Sequence, residues 1–155
     1  PVTSFILAAV VTDQPYLMSA RTIAPSRILL VPAALVREVV KDDCALMQAT
    51  MRELAQAYRD MVRALTDMKL RQSAERLGNL ILQQEHRQGG SGTVQLKAEK
   101  RLLASLLGMT PENLSRAFGA LGEHGIAVSG AQVTITDRAA LEAFSRPDPV
   151  RDDLA

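Results

Sequence analysis

The chain has 155 residues, 47% of them hydrophobic and 23% charged, with a net charge of +1. That is enough to bury a real core, in two small units joined by a long helix, and too balanced in charge to mark a polyanion binder by composition alone. A single cysteine, Cys44, excludes a disulfide framework within one chain and an all-cysteine metal cluster; no run approaches a membrane span or opens as a signal peptide, so the expected setting is cytoplasmic.

Residues 5–31 are rich in β-formers: FILAAVV and RILLVP read as short strands, with TDQP as a turn before YLMSARTIAP. Pro32 to Lys41 reads as a short helix with Pro32 in its first turn, punctuated by Asp42-Asp43. Then Met47, Met51, Leu54, Tyr58, Met61, Leu65 and Met68 alternate spacings of four and three without a break. This is a heptad seam, and it predicts a two-helix coiled coil over a dimerisation helix at 43–70. The competing reading, a long helix buried against its own domain, calls for a wider apolar stripe. A second stripe of Leu46, Ala49, Glu53, Ala57 and Val62 is too polar to be wholly buried. Methionine is adaptable, so the seam is one that can slide or repack.

Ser73 is the expected cap of the next helix, which turns Ala74, Leu77, Leu80 and Ile81 inward and ends near Arg87. Gln88-Gly89-Gly90-Ser91-Gly92 is a loop, and Thr93 to Leu96 alternates like a short strand. From Lys97 to Ile126 the sequence spells two short helices and a tight turn. Leu102, Leu103, Leu106 and Leu107 form the apolar face of the first, Gly108 ends it, and Thr110-Pro111 caps and starts the second. Leu114, Ala117, Phe118 and Leu121 share one face of a helix expected from Pro111 to His124. With the small Ala104 at the crossing, the pair reads as a helix-turn-helix. Ile126 to Val128, a turn at Gly130, and Gln132 to Ile135 form a β-hairpin wing, and Asp137 begins a last short helix to Phe144. The Pro- and Asp-containing tail, 146–155, is expected to be disordered.

The outward face of the second helix carries Glu112, Asn113, Ser115, Arg116 and Gly119. An acid, a hydroxyl and an arginine within one turn match the edges of bases in a major groove: arginine pairs with guanine O6 and N7, a carboxylate accepts from cytosine N4, and serine serves either. The bland alternative is an ordinary helical hairpin in a core.

The segment LLASLLGMTPENLSRAFGALGEHGI resembles the DNA-binding motif of the CRP/FNR transcription regulators, particularly their FNR-like branch. That branch reads DNA with a Glu-x-x-Ser-Arg set, matched here by Glu112, Ser115 and Arg116. The CRP-like branch has an arginine just before the glutamate, where this chain has Pro111, so the resemblance implies TTGAT- or TTGAC-like half-sites. It also implies a mostly α fold with small β: 1–42 as the C-terminal remnant of a β-roll sensor domain, 43–70 as the dimerisation helix, a hinge at Leu70–Gln72, and 71–145 as a winged helix-turn-helix. The larger part of the roll is missing on this reading, which implies a truncated chain or a fragment, with a naturally short protein as the alternative. Cyclic-nucleotide-binding members grip phosphate with an Arg-Ser pair. Alignment puts Tyr16 and Leu17 there, with Arg21 nearby, so the resemblance does not bring nucleotide binding to this chain.

The expected function is that of a homodimeric regulator placing two recognition helices in successive major grooves of double-stranded DNA, with RNA polymerase as a further partner and an effector sensed by the N-terminal domain. Lys97, Lys100, Thr110 and Arg138 are candidate phosphate contacts. No cofactor is expected within this chain, haem or another effector belonging to a full-length sensor domain. The alternative is a redox or haem/nitric-oxide sensor acting through protein partners with a degenerate DNA-binding unit, and a third reading is a DNA-independent coiled-coil adaptor. His86 and His124 read as helix-end cations, and Cys44 as a passive residue at a helix start. The Gly89–Gly92 loop lacks the lysine and strand–helix context of a phosphate loop, and the chain is not expected to be an enzyme.

Overall fold

The computed structural model describes residues 4, 6–96, 98–148 and 152. The chain divides into two compact units, Pro1–Met61 and Val62–Ala155. The first contains α1 (Leu7–Thr12), α2 (Ala33–Asp42) and the first part of α3 (Cys44–Leu70). Arg37 of α2 holds α1, donating to the Val10 carbonyl at 3.1 Å and pairing with Asp13 at 2.9 Å. Asp43 caps α3: its Oδ1 accepts from the backbone N–H groups of Ala45 and Leu46 at 2.8 and 2.9 Å, so the Asp42-Asp43 pair ends one helix and starts the next.

The two strands expected in FILAAVV and RILLVP are not found among the described residues of this unit. Leu7–Thr12 is helical, and residues 27–32 are irregular, while Phe5 lies outside the described residues. A strand needs a partner for its N–H and C=O groups, whereas a helix satisfies them within itself. Leu29 and Leu30, which a sheet would half-bury, are 85% and 88% exposed.

The second unit is built on α4 (Ser73–Arg87), which packs against α6 (Pro111–Gly122) and α7 (Arg138–Ser145). Its cap is Gln72 rather than Ser73, because Glu75 reaches back to accept from the Gln72 N–H at 2.7 Å, and Ser73 becomes the first helical residue. Leu77, Ile81 and Leu82 of α4 are buried, and Ala74 and Leu80 pack half-buried at the edge. The sheet is β1 (Thr93–Gln95), β2 (Ile126–Ser129) and β3 (Gln132–Ile135), antiparallel in the order β1-β3-β2. Val133 sits opposite both Val94 and Val128; Val94 and Val133 point into the core while Val128 is exposed.

Asp137 caps α7, accepting from the Ala140 N–H at 3.0 Å. Beyond it, the expected disorder of the tail does not hold at Asp152, which is buried against Arg71; residues 149–151 and 153–155 lie outside the described set.

Candidate nucleic-acid interface

Two short helices form the site. Helix α5 spans Lys100–Leu106, three residues later than the start read at Lys97, and α6 ends at Gly122 instead of His124. The turn between them follows the sequence closely. Gly108 has φ +60, the left-handed conformation glycine tolerates best, and a side chain there would begin 3.0 Å from Met68 Sδ. The Met109 N–H donates back to Ala104 at 3.0 Å, and Arg76 Nε donates to the Leu107 carbonyl at 3.0 Å, which satisfies an acceptor that the end of α5 leaves open. Thr110 Oγ1 then accepts from the Asn113 N–H at 3.2 Å, with Pro111 at the first helical position.

The buried face of α6 is Leu114, Ala117 and Leu121, with Phe118 half-buried beside them. On α5 the inward residues are Leu103 and Ala104, joined by the half-buried Leu107 at its C-terminal cap. Leu106, read as core, is 70% exposed. The small Ala104 draws the crossing toward its own side of the helix, and Leu106 lies off that face. His124 is not a simple helix-end cation either. Its ring stacks on Phe144, with centroids 4.1 Å apart and planes at 18°.

Glu112, Ser115 and Arg116 all stand exposed on the first turn and a half of α6. Arg116 Nη2 donates to Asn113 Oδ1 at 2.5 Å, and among the described residues no ion pair joins it to Glu112. The Ser115 hydroxyl donates to the Pro111 carbonyl at 3.1 Å, so its free function is as an acceptor. Glu112 is held below the usual carboxylate range by its own backbone N–H and by the Thr110 hydroxyl, with a smaller push from the Arg116 charge. The result is a capped helix end carrying one anion and one cation, each open to solvent.

The profile of the Crp-like helix-turn-helix domain matches residues 75–144, which covers all but the first two residues of α4, the sheet, both helices of the turn and all but the last residue of α7. Residues 75–144 thus carry a Crp-like helix-turn-helix domain. Solved structures agree in fold. FixK2 from Bradyrhizobium japonicum is 20% identical with a TM-score of 0.60, covering 76% of this chain and 61% of that one. A chain described as a crp/fnr-family transcriptional regulator from Eubacterium rectale is 19% identical with a TM-score of 0.62, covering 76% and 54%. One described as a cAMP-binding regulatory protein from Silicibacter pomeroyi is 26% identical with a TM-score of 0.55, covering 90% and 62%. The chain therefore spans less than two thirds of the length of these structures. A comparison with curated proteins found no match.

The cations around this helix-turn-helix differ in how free they are. Lys100 is exposed at the start of α5, and Thr110 is exposed but already engaged as a cap. Lys97 lies outside the described residues. Arg138 is tied back into the fold: its guanidinium pairs with Glu85 at 2.5 Å and with Glu142 at 3.2 Å. Glu85 is only 1% exposed. Burial alone would push its carboxyl up, but donation from Arg138 and from the Gly92 N–H outweighs that and holds it below the ordinary range. Glu85 continues the inward row Leu77–Ile81 at a spacing of four. An acid on a buried stripe was the signal, in the sequence, that a cation would be recruited to it.

The seam residues of α3 carry exposed apolar surface. Met51, Tyr58 and Met61 are 64%, 65% and 63% exposed, Met47, Leu65 and Met68 37%, 49% and 52%, and Leu54 is half-buried. Cys44 is exposed at the start of the same helix. Among the described residues no helix is long and apolar enough to cross a membrane, and no group of three or more His, Cys, Asp or Glu is placed to hold a metal ion.

Proposed function

We propose that this chain carries the DNA-reading and dimerisation parts of a cytoplasmic, homodimeric transcription regulator acting on a pseudo-palindrome with TTGAT- or TTGAC-like half-sites. The observation that carries the reading is the pair Glu112 and Arg116. Both are exposed on the first turn and a half of a capped helix, and neither neutralises the other. Arg116 has the fork geometry for guanine O6 and N7, and Glu112 can accept from N4 of the cytosine paired with that guanine, so both read one base pair. Ser115 reads a neighbouring thymine by turning its hydroxyl proton from the Pro111 carbonyl to O4, which accepts.

Pro111 has no side-chain donor, which favours the FNR-like set over the CRP-like one. The exposed seam of α3 supports pairing of two copies, whose recognition helices must stand about 34 Å apart to meet successive major grooves. Regulation through RNA polymerase and control by an effector sensed in the N-terminal domain complete the proposal. Tyr16 and Leu17 offer no charge to a phosphate, so a cyclic nucleotide is not the effector we assign.

The test is a binding titration against duplexes varied one position at a time, at two salt concentrations. Arg116→Ala is expected to cost about 1–3 kcal/mol and to relax preference at one base pair alone. Lys100→Ala should weaken every duplex alike and shallow the salt slope by about one unit. Equal loss on all duplexes for Arg116→Ala would show that Arg116 grips phosphate and would overturn the base-reading assignment.

A further inference from the structure

We infer that Asn113 is a positioning residue for specificity: it holds the Arg116 guanidinium in the orientation in which it meets a base edge. The inference rests on the DNA-reading role proposed above. Three residues apart on a helix, the two side chains lie side by side, and Arg116 Nη2 donates to Asn113 Oδ1 at 2.5 Å. Asn113 is itself well placed to act as an anchor. Its backbone N–H is taken by Thr110 Oγ1 at 3.2 Å, and it is half-buried while Glu112, Ser115 and Arg116 around it are exposed.

The choice of partner is what gives the contact meaning. Glu112 lies four residues before Arg116 on the same face, the spacing at which a carboxylate and a guanidinium pair on a helix. Among the described residues no such ion pair is made, and the arginine goes to the neutral amide instead. A carboxylate partner would orient the guanidinium but neutralise it and occupy two of its donors. The amide oxygen uses one of five N–H groups and leaves the charge intact, so one of the two forked edges, Nη1 with Nη2 or Nε with Nη2, stays available for a bidentate contact. It also leaves the Glu112 carboxylate open for the cytosine across the same base pair. Residue 113 thereby governs the discrimination exerted by residues 112 and 116 without reading a base itself.

A double-mutant cycle on the full chain tests this, with Asn113→Ala, Arg116→Ala and the double variant titrated against a TTGA-core duplex and against duplexes changed at the G·C pair of that core. Asn113→Ala should reduce the preference for the intact pair by about threefold to tenfold, the size expected for side chains coupled in one hydrogen-bonded network. Affinity for unrelated duplex and the urea midpoint should stay unchanged, since the Thr110 cap uses the backbone of residue 113. In the Arg116→Ala background the same change should have no further effect. Equal weakening on every duplex, or full additivity with Arg116→Ala, would overturn the positioning role while leaving base reading by Arg116 intact. A wild-type chain with no preference at that pair would overturn both.

Discussion

Arg71 and Asp152, 81 residues apart, form a two-pronged buried pair: Nη1 donates to Oδ1 at 2.6 Å and Nη2 to Oδ2 at 2.7 Å. Arg71 lies directly after α3, in the break before α4, and Asp67 adds a second carboxylate at 3.0 Å. Donation to Asp152 raises the guanidinium's affinity for its proton against an opposing effect of burial. The Arg71 carbonyl in turn accepts from Arg76 Nη1 at 2.7 Å, and Arg76 reaches on to Leu107 in the helix-turn-helix. The break after α3 is thus pinned by side chains from both directions.

Breaking this pair from one side leaves a buried charge short of a partner. Asp152→Asn should destabilise the second unit by about 3 kcal/mol, the low end for a buried pair because Asp67 still answers part of the charge. Replacing both residues, Arg71→Met with Asp152→Leu, should recover most of that loss. Urea unfolding measures both, and a change under about 0.5 kcal/mol for Asp152→Asn, ordinary for a surface site, would show that the pair carries no stability.

Helices α4 and α7 approach closely at Gly78. A Cβ there would lie 1.9 Å from Ser145 Oγ and 3.0 Å from Ser145 Cβ. Gly78→Ala gains about 1 kcal/mol of helix propensity, and overpacking costs about 1–3 kcal/mol, so the net effect should be destabilising. The Ser145 hydroxyl is buried without a partner. Ser145→Ala alone should therefore be neutral or stabilising, and combined with Gly78→Ala it should restore much of the loss. Thermal unfolding of the two single variants and the double variant decides it; a stabilising Gly78→Ala would refute the close approach.

Glu85 makes stability depend on pH in a definite direction. Its carboxyl is held low in the folded state, so the stabilisation is fully present above the ordinary glutamate value of about 4.3 and is lost as pH falls through the lowered folded value. The difference in unfolding free energy between wild type and Glu85→Gln should hold steady from neutral pH to about pH 5 and shrink below it. Parallel curves across the acid range would contradict this origin.

Exposed apolar positions on α3 predict assembly. Replacing Leu54 and Leu65 with Lys should give monomers and weaken DNA binding severely, because one half-site supplies about half the contacts. Sedimentation of the variant as an unchanged dimer would remove the seam from the interface.

Where a feature is local, it can be read from sequence. The extent of α3, the Gly108 turn, the Thr110-Pro111 helix start and the β2–β3 wing all follow from periodicity, capping and backbone preference within a few residues, and all stand where the sequence puts them. Which of those segments form the Crp-like helix-turn-helix is legible for the same reason, since the outward and inward faces of α6 are set by a single helical period.

The tertiary structure decided what depends on distant partners. The apolar runs near residues 5–31 have β-forming composition, but a strand requires another strand, and Leu7–Thr12 forms a helix. Arg138 reads in sequence as a candidate phosphate contact beside the wing; only the fold brings the buried Glu85 within its reach, 53 residues away. Asp152 looks like one more acid in a polar tail until Arg71 meets it. Within α6, spacing allows Arg116 to pair with Glu112 or with Asn113, and the choice of Asn113 is settled by side-chain geometry. Local backbone preferences act over a turn or two, whereas charges and strand edges are satisfied by whatever the folded chain places beside them.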